Sequence, residues 1–204
     1  NTGSVTINSG QALTVNGTLT NETAAGLFVQ SGGSLIEHSG VDAAVKQDIP
    51  ANEWHLISPP ASNINAATFE GYYLQKHTES TNAHTDITSV NEALTPVRGY
   101  AVWGGDASTT ATFSGLLNAG AQSFSTTAVT YTTGPPANGG WNLIGNPYPS
   151  SIDWKAPSGW TKTYVNEAIY LHIDAATWAT FVGNTGSNGG TRYIAPCQGF
   201  FVQA

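Results

Sequence analysis

Two signatures recur in the same order along the chain, and they limit its folding options more than any other feature. Trp54–Pro60 reads WHLISPP, and Trp141–Pro149 reads WNLIGNPYP. Both place Leu two, Ile three and Pro six residues after the Trp. Each is followed by a second shared phrase, P-x-x-G-aromatic-x-V: Pro96–Val102 (PVRGYAV) and Pro196–Val202 (PCQGFFV). Matched positions in matched order read as two copies of one β unit. The two copies are expected to superpose, with Trp54 over Trp141 and Gly99 over Gly199.

Composition narrows the class. Of the 204 residues, 9% are charged, far below the usual quarter, so the polar surface must be built from Ser, Thr, Asn, Gln and Gly. That mixture suits strands and tight turns and suits helices badly. The net charge is −7 with six Lys and Arg, so no basic footprint exists for nucleic acid or for an anionic membrane surface. No run of 18 apolar residues is present to make a membrane-spanning helix. The lone Cys197 has no disulfide partner and sits among apolar residues, where a free thiol packs as a small hydrophobe.

Ahead of the first copy the rhythm differs. Short apolar pulses, Val5–Ile7, Leu13–Val15, Leu27–Val29 and Leu35–Ile36, are punctuated by glycines. They fit either a meander or a few coils of a β-helix, and the likeness of NSGQALTVNG to QSGGSLIEHSG favours coils. Residues 41–53 lose the pattern and read as a linker, with one helical turn available at Val41–Val45 before Pro50. In the first copy, strands are expected at Trp54–Ile57, Tyr72–Lys76, Thr85–Val90 and Gly99–Trp103. Between the copies, Thr112–Ser114 is expected to pair with Ser123–Thr126, with a further strand at Val129–Thr132. The breakers Gly134–Pro136 and Asn138–Gly140 then reset the chain. In the second copy, Tyr170-Leu171-His172 corresponds to Tyr73-Leu74-Gln75, and Thr177–Val182 answers it across Asp174–Ala176. Asn184–Gly190 is a loop and Gly199–Gln203 the last strand. The chain opens and closes in mid-pattern, which reads as a piece of something longer. The resulting expectation is an all-β chain. A short β-helix-like or meander segment (1–50) precedes a jelly-roll-like β-sandwich (51–204), built from pseudo-repeats 51–103 and 141–204 joined by 104–140.

Several phrases taken together resemble a β-rich domain of secreted and cell-surface proteins of Bacteroidota. They are Gly32–Ile36, Trp54–Pro60, Thr112–Gly115, Trp141–Ser150 (WNLIGNPYPS) and Ala195–Val202 (APCQGFFV). The resemblance covers nearly the whole chain, and WNLIGNPYPS is its most specific part. It implies an extracellular, non-catalytic module of a larger protein exported by the type IX system. The C-terminal sorting domain of such proteins is not visible here. The resemblance supplies no binding residues to carry over.

A glycosidase needs two carboxyls at a set separation; Asp153, Glu167 and Asp174 are the acids of the second copy, and Asp153 and Asp174 fall where turns want them. His38, His55, His77, His84 and His172 match no zinc spacing, although His77-Thr78-Glu79 and His84-Thr85-Asp86 can face each other across a hairpin. Loops Asn184–Gly190 and Gly104–Asp106 offer oxygens for a structural calcium but few carboxylates. Otherwise no cofactor and no metal is expected. Trp54 and Trp141 read as core. Trp154 and Trp160 flank a loop present in one copy only, and a flat indole beside polar groups is suited to a sugar face. With Tyr148 and Asp153 as polar support, these four residues form the candidate ligand site. The functional expectation is therefore a non-catalytic secreted or cell-surface module for adhesion or glycan binding. It would bear a glycan or cell-surface ligand and neighbouring domains as partners, with no nucleic acid and no membrane insertion. A purely structural spacer is the alternative, and a glycoside hydrolase domain the weakest reading.

Overall fold

The computed structural model describes residues 3–124, 129–133, 139–174 and 177–204. The protein is all-β, and its only helical elements among the described residues are three short 3-10 turns. It starts as a parallel coil. Strands β1 (Val5–Ile7) and β2 (Ala12–Thr14) form one turn of the coil, and β3 (Leu27–Val29) and β4 (Ser34–Ile36) the next. β1 lies parallel to β3, β2 parallel to β4, and β3 parallel to β5 (Asp42–Ile49). Gly33 is required here, because a Cβ would stand 2.9 Å from the carbonyl oxygens of both Gln30 and Ile7. Ile7, Leu27, Val29 and Leu35 point into the coil.

β5 overturns the linker reading of residues 41–53 and its helical turn. Ala43, Ala44, Val45 and Ile49 are all buried, and the strand is sandwiched between two partners. One is β3. The other is β10 (Thr109–Leu116), antiparallel along its full length, from Thr109 opposite Ile49 to Leu116 opposite Asp42. The expected local pairing of Thr112–Ser114 is therefore replaced by a long-range one. A segment between the copies closes the open side of the coil. Val129–Thr132 is not a strand. Residues 125–126 of the expected Ser123–Thr126 partner, the breakers 134–136 and Asn138, and residues 175–176 of the expected turn lie outside the described residues.

The two copies have the same topology. In the first, the sheet order is β6 (Trp54–Ile57), β9 (Tyr100–Trp103), β7 (Tyr73–Thr78), β8 (Ala83–Asp86). In the second it is β11 (Trp141–Gly145), β17 (Gly199–Gln203), β13 (Ala168–Asp174), β14 (Thr177–Val182), extended by β15 (Thr185–Ser187) within the expected loop. Register agrees as well as order. Trp54 pairs with Trp103 and Ile57 with Tyr100; Trp141 pairs with Gln203 and Ile144 with Phe200. The register shifts one expected equivalence. Tyr170 pairs with Phe201, and the matching place opposite Ala101 belongs to Gln75 rather than Tyr73.

The copies face each other around a pseudo-twofold axis. Ile57 bridges Gln198 and Ile144 bridges Arg98, each the other's counterpart. Ser58 N donates to Cys197 O at 2.8 Å, and Gly145 N donates to Val97 O at 2.7 Å. Both carbonyls are aimed by a left-handed residue, Val97 at φ 66°, which is costly for its β-branched side chain, and Cys197 at φ 58°. The axis also explains the shared glycines. A Cβ on Gly99 would meet Ile144 O at 2.5 Å, and one on Gly199 would meet Ile57 N at 2.9 Å.

The runs WHLI, YAV, WNLI and GFFV are apolar on both faces because each sheet is covered twice, as strict alternation toward one core would not allow. Ile57, Tyr100 and Val102 face the coil and join its core with Val45 and Phe113. Leu56 and Ala101 face the second sheet and meet Leu143 and Phe201. Ile144, Phe200 and Val202 face outward and are covered by Trp154 and Ile194. The last of these cores is roofed by the loops after β11, tied down by β12 (Ile152–Asp153) pairing with β16 (Tyr193–Ile194). Asn146 anchors that roof. It is fully buried, and its Nδ2 donates to Ser150 O at 2.7 Å and Ala195 O at 2.8 Å while Oδ1 accepts from Tyr148 N. Trp54 and Trp141 are half-buried rather than core, since both lie at the rim of the sheet-to-sheet interface.

Candidate functional site

Trp154, Trp160, Tyr148 and Asp153 line one groove of about 580 Å3 on the outer face of the second sheet. The β12–β16 pair sets its wall, with Trp154 N donating to Arg192 O at 2.8 Å. The four residues do different work there. Trp154 is 1% exposed and packs edge-on against Trp160 and Phe200 at 5.1 and 6.0 Å, so its ring is structural. Its Nε1 is buried and has no hydrogen-bond partner among the described residues. The Lys162 ammonium lies 4.2 Å from the centre of the Trp154 ring and donates to Trp154 O. Trp160 is half-buried, and its Nε1 donates to Asp153 O at 2.7 Å. The Tyr148 hydroxyl donates to Gly120 O at 2.6 Å, and burial pushes its phenol pKa up.

The Asp153 carboxylate is gripped by Arg192 in a two-pronged pair, Nε and Nη2 each at 2.6 Å. Those hydrogen bonds hold it below the ordinary carboxylate range, helped by Lys155 N. Asp153 therefore orients Arg192 rather than offering a free acceptor. Glu167 is held by Lys162 at 2.9 Å and Lys155 at 3.1 Å, and its pKa is lowered by them in that order. Both acids are thus kept ionised and engaged, which suits neither a general acid nor a nucleophile. Asp174 ends β13, and its side chain is not among the described ones.

His77 and His84 do face each other across β7 and β8, with ring centres 5.1 Å apart. The neighbouring Glu79 does not join them. It is buried and accepts from Thr132 N, Thr132 Oγ1 and Gly140 N at 2.7–2.8 Å. Burial alone would raise its pKa, but these bonds outweigh burial and lower it. Among the described residues no group of three His, Cys, Asp or Glu is placed to hold a metal ion. Gly105 O, one of the oxygens considered for calcium, accepts from Asn52 N. Cys197 is fully buried, which pushes its thiol pKa far up.

A second concavity escaped the sequence reading. His77, Asn82, His84, Trp141, Tyr170, Trp178 and Phe201 line a cleft of about 400 Å3 at the open rim between the two sheets. The rule that residues two apart share a strand face puts Trp141 with Leu143, and cross-strand pairing adds Phe201 and Tyr170. That signal was present, but the match of Trp141 to Trp54 made it read as core.

A family model described as Domain of unknown function (DUF8693) matches residues 1–175. No curated protein and no solved structure matches the chain.

Proposed function

We propose that this chain, which belongs to the DUF8693 family, is a non-catalytic extracellular β module of a larger surface protein that acts in adhesion by binding a glycan. The observation that supports it is the division of labour in the outer groove. Asp153, the carboxylate that lines it, is tied up in an ion pair with Arg192, and Glu167 engages Lys162 of the groove wall together with Lys155, so the groove is poorly suited to acid–base chemistry. What it still offers a ligand is the open part of the Trp160 ring, the Tyr148 ring and a wall of Val97, Ile152 and Val165. A ring face beside fixed polar atoms suits a sugar, and a rigid loop loses little entropy on binding. A scarcity of Lys and Arg argues against nucleic acid as the partner, and among the described residues no helix is long and apolar enough to cross a membrane.

The test is a glycan-array screen of the purified chain beside Trp160→Ala. Trp154 is unsuitable for this purpose because emptying its site would disturb the core. Binding by the parent and its loss in a folded Trp160→Ala variant would support the groove. Equal binding by both would refute it. A spacer role is favoured by a different observation: Leu35 N of the coil donates to Pro149 O of the second copy at 2.8 Å, which locks coil and sandwich together. An array on which nothing binds leaves that reading standing alone.

A further inference from the structure

The inner face of the second sheet ends in a cleft built differently from the outer groove. Phe201 is its floor and is 7% exposed. Four rings stand around Phe201: His77 at 5.0 Å, Trp178 at 5.7 Å, His84 at 6.1 Å and Trp141 at 6.4 Å, all steeply inclined to it. Tyr170 closes the side, 4.9 Å from Trp141 and perpendicular to it. Trp178 is 40% exposed, a large apolar surface left open to water.

The polar atoms at this rim are free, unlike those of the groove. Among the described residues, the Tyr170 hydroxyl, the Nε1 groups of Trp141 and Trp178 and both His84 nitrogens make no hydrogen bond within the protein. Asn82 uses only its Oδ1, toward His77 Nε2 at 3.2 Å, which leaves its amide nitrogen available. Among the described residues, no Lys, Arg, Asp or Glu lines the cleft. Glu79 is spent on Thr132 and Gly140, and Lys76 on Glu92. An anionic ligand would find no counter-charge. Nor would a cationic one, which would also lie beside two imidazoles that become positive on acidification.

We propose that this cleft is a second ligand site, distinct from the groove, and that its ligand is an uncharged pyranose sugar. The C–H face of the sugar lies on the exposed indole of Trp178. Its hydroxyls take hydrogen bonds from Tyr170, the indole N–H groups and Asn82, and exchange them with His84. A volume of about 400 Å3 falls in the range of small-ligand sites and holds one or two sugar rings. Burial lowers the pKa of His77 despite the raising effects of Asn82 and Glu79, with Arg98 adding to the lowering. It lowers that of His84 as well, followed by the effect of His77. Both rings are therefore neutral at pH 7, able to give and accept a hydrogen bond.

The experiment is a titration of the full chain, followed by the indole and imidazole signals in proton–nitrogen NMR spectra. The probes are neutral oligosaccharides of glucose, mannose, galactose and N-acetylglucosamine, an acidic uronic-acid oligosaccharide, and a trimethyl-lysine peptide. Each is applied at millimolar concentration to the parent and to the variants Trp178→Ala, Tyr170→Phe and Trp160→Ala. The expected result is that a neutral sugar shifts the Trp178 indole signal. Trp178→Ala should weaken binding, followed at the Trp141 indole and the imidazole signals, by more than about tenfold, as loss of an aromatic anchor does, and Tyr170→Phe by several-fold. Trp160→Ala should leave it unchanged. Preference for the charged probes would overturn the ligand class. Sugar binding lost in Trp160→Ala but kept in Trp178→Ala would overturn the site while sparing the groove. No shift at Trp178 with any neutral sugar would overturn the proposal outright.

Discussion

Replacing Gly199 with Ala isolates the contact between the two copies. Ordinary van der Waals neighbours of a Cβ stand 3.4–4 Å away, whereas this one would meet Ile57 N and Leu56 C at 2.9 Å and Ile57 O at 3.0 Å. All three are backbone atoms of β6, so no side chain can swing aside. The sheets must separate by roughly half an ångström at their closest point, and overpacking of this kind costs about 1–3 kcal/mol. Separation also loosens Leu56, Leu143 and Phe201, which places the total near the top of that range, at about 3 kcal/mol. For a chain of this size that is a drop in Tm of about 6–12 °C. Gly99→Ala should behave alike, because its Cβ would meet Ile144 O and Leu143 from the other side of the axis. Gly17, with nothing within 4 Å, is the control and should move little. Thermal melts by circular dichroism read all three. Without the clash, Ala in a strand gains about 0.5–1 kcal/mol over Gly, so an unchanged or raised Tm in Gly199→Ala would refute the close approach.

Other perturbations test other parts. His55 is drawn from 6.5 to about 4 by burial and then by His172, and Gln47 Nε2, 3.2 Å away, can only donate to it. The unfolded chain binds its proton near pH 6.5 and the folded one near 4. Stability is therefore full above pH 6.5 and falls as the pH drops from 6.5 to 4, by up to about 3 kcal/mol; His55→Gln should flatten that limb in melts run against pH. Asn146→Ala removes the side-chain donor to the carbonyls of Ser150, Ile194 and Ala195, the last of which keeps Gln198 N at 3.3 Å, and should cost about 2–4 kcal/mol, measured by urea unfolding. Cys197, buried with a raised pKa, should resist a thiol reagent in the native protein and react fully once the chain is unfolded. Rapid native labelling would contradict its place in the first core.

The parts of the fold readable from sequence were those where a residue type is demanded by local geometry. Gly33 sits where a coil turns, and Gly99 and Gly199 sit where two backbones nearly touch. Such positions admit no substitute, so they repeat visibly. β5 and β10 pair across about sixty residues, and nothing in either segment names the other. The Ala-rich Val41–Val45 stretch looked helical because burial between two strands, which decides its state, is a tertiary fact. The same division holds at the candidate site. Chain proximity brought Trp154, Trp160, Tyr148 and Asp153 to one groove. Which ring is exposed, and which carboxylate Arg192 holds, depends on β16 arriving from forty residues away.

The cleft was missed for a reason built into the repeat itself. Matched positions show what both copies need to fold, while a site arises where the copies differ. Around the pseudo-twofold axis, Phe201 stands where the first copy has Ala101, Tyr170 where it has Gln75, and Trp178 where it has His84. Each replacement puts an aromatic ring on the second sheet's inner face opposite a smaller or more polar residue on the first. The rings of one copy thus overhang the imidazoles of the other, with Trp141 at the edge, and the packed interface of Leu56, Ala101 and Leu143 opens into a cavity there. An exchange that restores symmetry should close it. Trp178→His removes the exposed indole and makes that pair His–His, like His77 and His84 in the first copy. It should leave Tm nearly unchanged, because Trp178 is among the more exposed of the ring residues. It should also abolish the sugar-dependent shift of the Tyr170 ring signals. A protein that keeps that response in Trp178→His would show that asymmetry between the copies is not what makes the cleft a site.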